Sequence, residues 1–235
     1  MRPETLTEMR AGAIAVVPAA VAVVPFGLLL GALAAQKGIT VPEMILMSAT
    51  VFAGSAQFVA VDIWREPVPW LLLIVTAAMI NLRHLLMGAS LAGKIHHFGT
   101  GTSLIALFTM VDETWALCEQ RAVRAKLTPA YMLTMGGILY ANWIGWTGLG
   151  AALGTLLGDP ARYGADFAFP AIFLTLLVGL WRGPRTGVAI AASAIVAAVV
   201  HLSFEGPWFI AAGGIAGALA GALCGPAEEV AEIAE

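Results

Sequence analysis

The sequence predicts an all-α, polytopic integral membrane protein, and three observations carry that prediction. Its composition is 60% hydrophobic and 11% charged with a mean hydropathy of +0.87, which an ordinary soluble domain of this length does not show. Several apolar runs reach the roughly 20 residues needed to cross a ~30 Å hydrocarbon core. They also lack the alternation of membrane β-strands, so the backbone must satisfy its hydrogen bonds within helices. The expected layout is a polar N-terminal segment (1–10), one transmembrane domain (11–225) and an acidic tail (226–235). About eight crossings are expected, seven if the short sixth run does not span, some of them kinked or broken. The lipid bilayer is therefore the first partner. Net charge is −3 and the basic residues are scattered singly, which gives no support to nucleic-acid binding. Cys118 and Cys224 make neither a disulfide framework nor a metal-ligand spacing, and no metal or cofactor is expected.

The first run, Ala11 to Ala35, is too long for a signal h-region and reads as a retained helix. Pro18 and Pro25, the latter followed by Phe26-Gly27, each remove a backbone hydrogen bond and predict a kink or a break. Pro25 and Gly27 would then free carbonyls towards a cavity, as in carriers with broken helices. The second run, Met44 to Ile63, has Phe52-Ala53-Gly54-Ser55-Ala56-Gln57-Phe58 at its centre. There Gly54 and Ser55 loosen the helix, and the Gln57 amide needs a partner helix, freed backbone or a ligand. Helix–helix glue is the alternative for the same residues.

The third run, Pro69 to Leu91, is about 23 residues and holds Asn81-Leu82-Arg83-His84 near its middle. An arginine at that depth costs at least about 2.5–3.5 kcal/mol and needs water, an acid or a ligand. On a continuous helix Asn81, His84 and Gly88 share a face while Arg83 lies about 200° from Asn81. Arg83 therefore either snorkels to the interface or sits in a distorted helix whose polar groups line one cavity. His96-His97 follow in a loop and are a weak metal signal. The fourth run, Thr102 to Cys118, carries Asp112 and Glu113 past its centre, the acids deep enough to compensate Arg83. That pairing is either purely structural or part of a proton-exchanging site.

The fifth run, Tyr131 to Leu157, is long enough to tilt or to break near Gly145. The sixth, Phe167 to Trp181, is short; the seventh runs Thr186 to Leu202, with His201 and Glu205 interfacial. The eighth, Trp208 to Cys224, spaces Gly213, Gly217, Gly221 and Gly225 four apart, a face that admits close packing by a helix of this chain or of a partner. A faint likeness between 27–58 and 148–177 suggests an internal repeat. With eight crossings, Arg2, Arg10, Arg65, Arg121, Arg124, Lys126, Arg182 and Arg185 fall inside against Lys37, Lys94 and Arg162 outside, which places both termini in the cytoplasm.

Together, Phe52 to Phe58, Asn81-Leu82-Arg83-His84-Leu85-Leu86, Asp112-Glu113 and Asp166-Phe167-Ala168-Phe169-Pro170-Ala171-Ile172-Phe173 resemble, in order and spacing, the hallmarks of the AzlC family. The resemblance runs from about Ala11 to Leu223. It implies a secondary transporter subunit in the bacterial cytoplasmic membrane that exports branched-chain, hydrophobic amino acids, is not an enzyme, and works with a separate small AzlD-like membrane subunit. The expected substrate-binding residues are Gly54, Ser55, Gln57, Asn81 and Arg83. Arg83 with Asn81 would take the carboxylate, and broken backbone near Gly54 and Pro25, with Gln57, the ammonium. His84, Asp112 and Glu113 would carry the coupling proton. A passive channel or structural subunit is the alternative; an intramembrane enzyme lacks any nucleophile–base or metal signature in the runs.

Overall fold

The computed structural model describes residues 3–157, 174, 177–178, 181, 183–204 and 208–224. Among these residues the secondary structure is helical: α1 (Pro3–Gln36), α2 (Val41–Val51), α3 (Gly54–Asp62), α4 (Trp70–Ile95), α5 (Thr100–Phe108), α6 (Asp112–Ala122), α7 (Pro129–Leu157), α8 (Pro184–Ser203) and α9 (Trp208–Leu223). Most of the sixth run, Glu205, Gly225, the tail and part of the suggested repeat lie outside them. Three of these helices, Glu4–Gln36, Trp70–Ile95 and Pro184–Ser203, are by length and composition able to cross a membrane.

The chain forms two compact units, one of residues 1–69 and 80–168, the other of 70–79 and 169–235. In the first, α1 and α7 form the central pair. Leu28 meets Gly150 and Ala32 meets Gly154, so the two helices run parallel with backbones in contact. A Cβ at Gly31 would lie 2.1 Å from the Thr147 carbonyl oxygen, which is why small residues line this seam. The same packing answers two expectations. α1 is unbroken through Pro18 and Pro25, and α7 is unbroken at Gly145. Each proline costs α1 a hydrogen bond, but the flanking turns are clamped along α7. The polar lead-in is also helical from Pro3 onward.

The observed breaks fall in the second run, beside Gly54 where loosening was expected, and in the fourth. The second run divides at Phe52-Ala53, where Phe52 adopts φ 39°, and the fourth divides at Thr109 to Val111. Each limb, of 9 or 11 residues, is about 13–16 Å long, half a bilayer. Both pairs fold back on themselves. Lys37 Nζ donates to the Asp62 carbonyl at 2.8 Å, which returns the end of α3 to the level where α1 ends and α2 begins. Asp112 pairs with Arg83, and Glu119 pairs with Lys94 further along α4. α6 therefore runs in the same direction as α4, back towards the end at which α5 starts. Runs expected to cross as single helices are thus two V-shaped half-helix pairs entering from opposite ends.

In the second unit, α8 and α9 pack through the spaced glycines. A Cβ at Gly213 would approach Ala197 Cβ to 2.9 Å and one at Gly217 would approach Ser193 Cβ to 3.0 Å, while Gly221 faces Ala189 at 3.8 Å. Of the two partners considered for that face, the structure shows a helix of this chain.

Candidate functional site

One stripe of α7 carries both apices. Gly136, Tyr140, Trp143 and Thr147 recur at helical spacing, and each meets a break or its flank. The Tyr140 ring makes edge contacts with Phe52 at 5.1 Å and Phe108 at 5.9 Å, and its hydroxyl donates to the Ala49 carbonyl at 2.8 Å. Gly136 leaves room for Thr109, whose side chain would otherwise lie 2.3 Å from a Cβ there. Trp143 closes over Gly54, where a Cβ would lie 3.2 Å from its ring.

The α2–α3 break is further held by a buried polar network. Trp143 Nε1 donates to Gln57 Oε1 at 2.8 Å, Gln57 Nε2 donates to Ser48 Oγ at 3.0 Å, and Ser48 shares a 2.9 Å hydrogen bond with Thr147. Ser48, Gln57 and Thr147 are fully buried. A buried amide satisfied on both ends fixes geometry, because losing either partner costs its desolvation. Gln57, expected as a ligand group, is thus engaged in packing α2 and α3 onto α7.

Arg83 joins the two apices. From an unbroken α4 it donates through Nη1 to Asp112 Oδ2 and through Nη2 to Ser55 Oγ at 2.6 Å. α4 continues through Arg83 without a break, and the guanidinium fork spans the first turns of α3 and α6. The side chains of Arg83 and Asp112 remain 38% and 50% exposed, so protein does not seal the pair. The first bonds within α3 and α6 are made by the amides of Gln57 and Trp115, to the carbonyls of Ala53 and Val111. Neither N-cap residue makes a side-chain cap hydrogen bond, while at α6 the Thr114 hydroxyl accepts from the Val111 amide at 2.9 Å. Asn81 Oδ1, Arg83 Nε and His84 Nδ1 are buried without a hydrogen-bond partner among the described residues. His84 and Glu113 both lie within the field of Arg83 and Asp112.

The far end of α6 is anchored by a second set of contacts. Ser90 Oγ donates to Glu119 at 2.9 Å and accepts from Trp115 Nε1 at 2.8 Å, beside the Lys94–Glu119 pair. Arg121 donates to both oxygens of Glu8 at 2.6 and 2.8 Å and stacks on Tyr131 at 4.3 Å. His97 is held by the Leu127 carbonyl at 3.0 Å.

Sequence reasoning thus found Arg83, Ser55 and Asp112, which the structure brings together, and placed Gly54, Asn81, His84 and Glu113 around them. Gly27 lies at the α7 seam, where it meets Trp146, whereas Pro18 and Pro25 lie on exposed positions of α1. Tyr140, Ser48 and Thr147 were missed. The helical spacing of Gly136, Tyr140, Trp143 and Thr147 marks the two α7 residues in the sequence, and no such spacing marks Ser48 on α2.

The sequence model of the AzlC protein family matches residues 18–157, which includes both V-shaped pairs and Arg83. The chain is 29% identical to an uncharacterized membrane protein of Archaeoglobus fulgidus over 205 residues, 86% of this chain and 90% of that protein. It is 27% identical to the branched-chain amino acid transport protein AzlC of Bacillus subtilis over 162 residues, 65% of this chain and 62% of that protein. With the inner membrane protein YgaZ of Escherichia coli it shares 27% identity over 209 residues, 85% and 84% of the two chains. No solved structure matches the chain.

Proposed function

This chain belongs to the AzlC family, and from that premise we propose that it is a secondary transporter subunit exporting branched-chain and other hydrophobic amino acids across the bacterial cytoplasmic membrane, driven by protons. The observation that carries the reading is Arg83, held between the N-termini of two half-helices and open to a ligand. A helix N-terminus aimed at mid-membrane depth favours an anion, and broken helices supply such ends in carriers. Arg83 with the first turn of α3 takes the substrate carboxylate. Asp112, Glu113 and His84 supply groups that exchange protons beside it. Gln57 acts through position, holding α3 in place from the α7 side.

A small AzlD-like subunit completes the complex, and both termini face the cytoplasm. The V-shaped pairs revise the charge count that supports this orientation. Arg65 joins Lys37 outside, while Lys94 joins Arg10, Arg121, Arg124 and Lys126 inside. The test is efflux of labelled leucine from preloaded proteoliposomes, with and without an inward proton gradient. Gradient-dependent efflux is expected. Downhill flux indifferent to the gradient and to a protonophore would favour the passive channel instead.

A further inference from the structure

The two half-helix ends that meet at Arg83 are not equivalent. The first turn of α3 carries no acid, so no carboxylate offsets the positive end of that helix, where Ser55 Oγ accepts from Arg83. The first turn of α6 carries Asp112 and Glu113. A zwitterion placed between them has one orientation that matches charge: carboxylate towards α3 and Arg83, ammonium towards α6 and Asp112.

We infer that the substrate inserts into the Arg83–Asp112 ion pair, so that its ammonium and the coupling proton compete for the Asp112 carboxylate. This rests on the transport reading above and moves the ammonium from the broken backbone near Gly54 to the acid at the head of α6. The charges balance. In the empty state Arg83 compensates Asp112; on binding, the carboxylate takes Arg83 and the ammonium takes Asp112, with no change in net charge. When a proton takes Asp112 instead, the ammonium loses its counter-charge and the substrate leaves. One carboxylate alternating between two cations exchanges substrate for a proton without a separate coupling site. The charged and titratable groups facing Asp112 are Arg83 and His84 on α4 and Glu113 beside it on α6. Lys94, Glu119, Arg121 and Glu8 engage one another further along α6. The substrate class that follows is the free α-amino acid with both charges intact.

The experiment is counterflow of labelled leucine in proteoliposomes of the full chain, over a pH series, with N-acetyl-leucine and leucine amide as competing probes. For the wild type, KM is expected to rise as pH falls, approaching about tenfold per pH unit where the proton displaces the ammonium, with kcat unchanged. N-acetyl-leucine, lacking the ammonium, should compete at least about 100-fold more weakly than leucine, and so should the amide, lacking the carboxylate. Asp112→Asn should flatten the pH dependence and erase the discrimination against N-acetyl-leucine, whereas Gly137→Ala, where a Cβ meets nothing within 4 Å, should retain both. The probe competition needs no variant and stands even if Asp112→Asn does not fold. Leucine counterflow with a pH-independent KM, or equal competition by N-acetyl-leucine, overturns this inference alone. Absence of counterflow for every hydrophobic amino acid overturns the transport reading and the inference with it.

Discussion

At the residue scale, the polar groups legible in the sequence were those that an apolar run cannot hide. Arg83 and Asp112 announce themselves by cost, and the structure pairs them. Gln57 announced itself equally, but its partner Trp143 lies 86 positions away, and no local pattern distinguishes a packing amide from a ligand amide. Gln57→Leu should therefore leave Trp143 Nε1 and Ser48 short of a partner and destabilise the protein by about 1–3 kcal/mol. The check is a lower unfolding midpoint in detergent, and an unchanged midpoint would contradict the packing role. At the head of α2 the backbone amide and hydroxyl of Thr40 donate to Glu43 at 2.8 and 2.7 Å, holding that carboxyl below its ordinary range. A lowered folded-state value means that this contribution to stability is present above the unfolded-state value and fades as pH falls through the folded one. Thr40→Val removes the side-chain part, so the Glu43 titration should move upward, read by carboxyl-resolved NMR.

At the scale of elements, one sequence signal for a break fell close to an observed break, near Gly54, and those in the first and fifth runs fell in continuous helices. Pro18 and Pro25 sit in an unbroken α1, because α1 lies backbone to backbone with α7 and the lost hydrogen bonds are local. The second break came within two residues of the loosened Gly54, yet the residue that turns the chain is Phe52 with positive φ, which no propensity favours. The break before Asp112 has neither glycine nor proline at Thr109 to Val111; Thr109 bonds back to the Ile105 carbonyl at 2.9 Å and fits the gap left by Gly136. What decides these sites is the surface of α7, a tertiary feature. The seam makes a paired prediction. Gly31→Ala, whose Cβ would meet the Thr147 carbonyl oxygen at 2.1 Å, should force α1 from α7 and cost about 1–3 kcal/mol. Gly137→Ala, which meets nothing within 4 Å, should gain up to about 1 kcal/mol of helix propensity. Unfolding midpoints of the two variants should move in opposite directions.

At the scale of the molecule, composition was enough to read an all-α membrane protein, and run length was not enough to read its path. Twenty apolar residues look alike whether they cross once or enter and return, since both bury their backbone hydrogen bonds in helices. The difference lies in contacts such as Lys37 with Asp62, invisible to hydropathy. The V-shaped pairs make a prediction about sides. In a background lacking Cys118 and Cys224, single cysteines replacing Lys37 and Arg65 should label from the same face of the membrane. Labelling from opposite faces would restore the second run as a full crossing. The central claim is that Arg83, between the two apices, is where substrate is held. Its most direct test is equilibrium binding of labelled leucine to the purified wild type and to Arg83→Ala, with Gly137→Ala as a folded control. The account predicts saturable binding in the wild type and control, weakened about 100-fold or more in Arg83→Ala at an unchanged fold. Wild-type affinity in Arg83→Ala would contradict it and move the site away from the two half-helix ends.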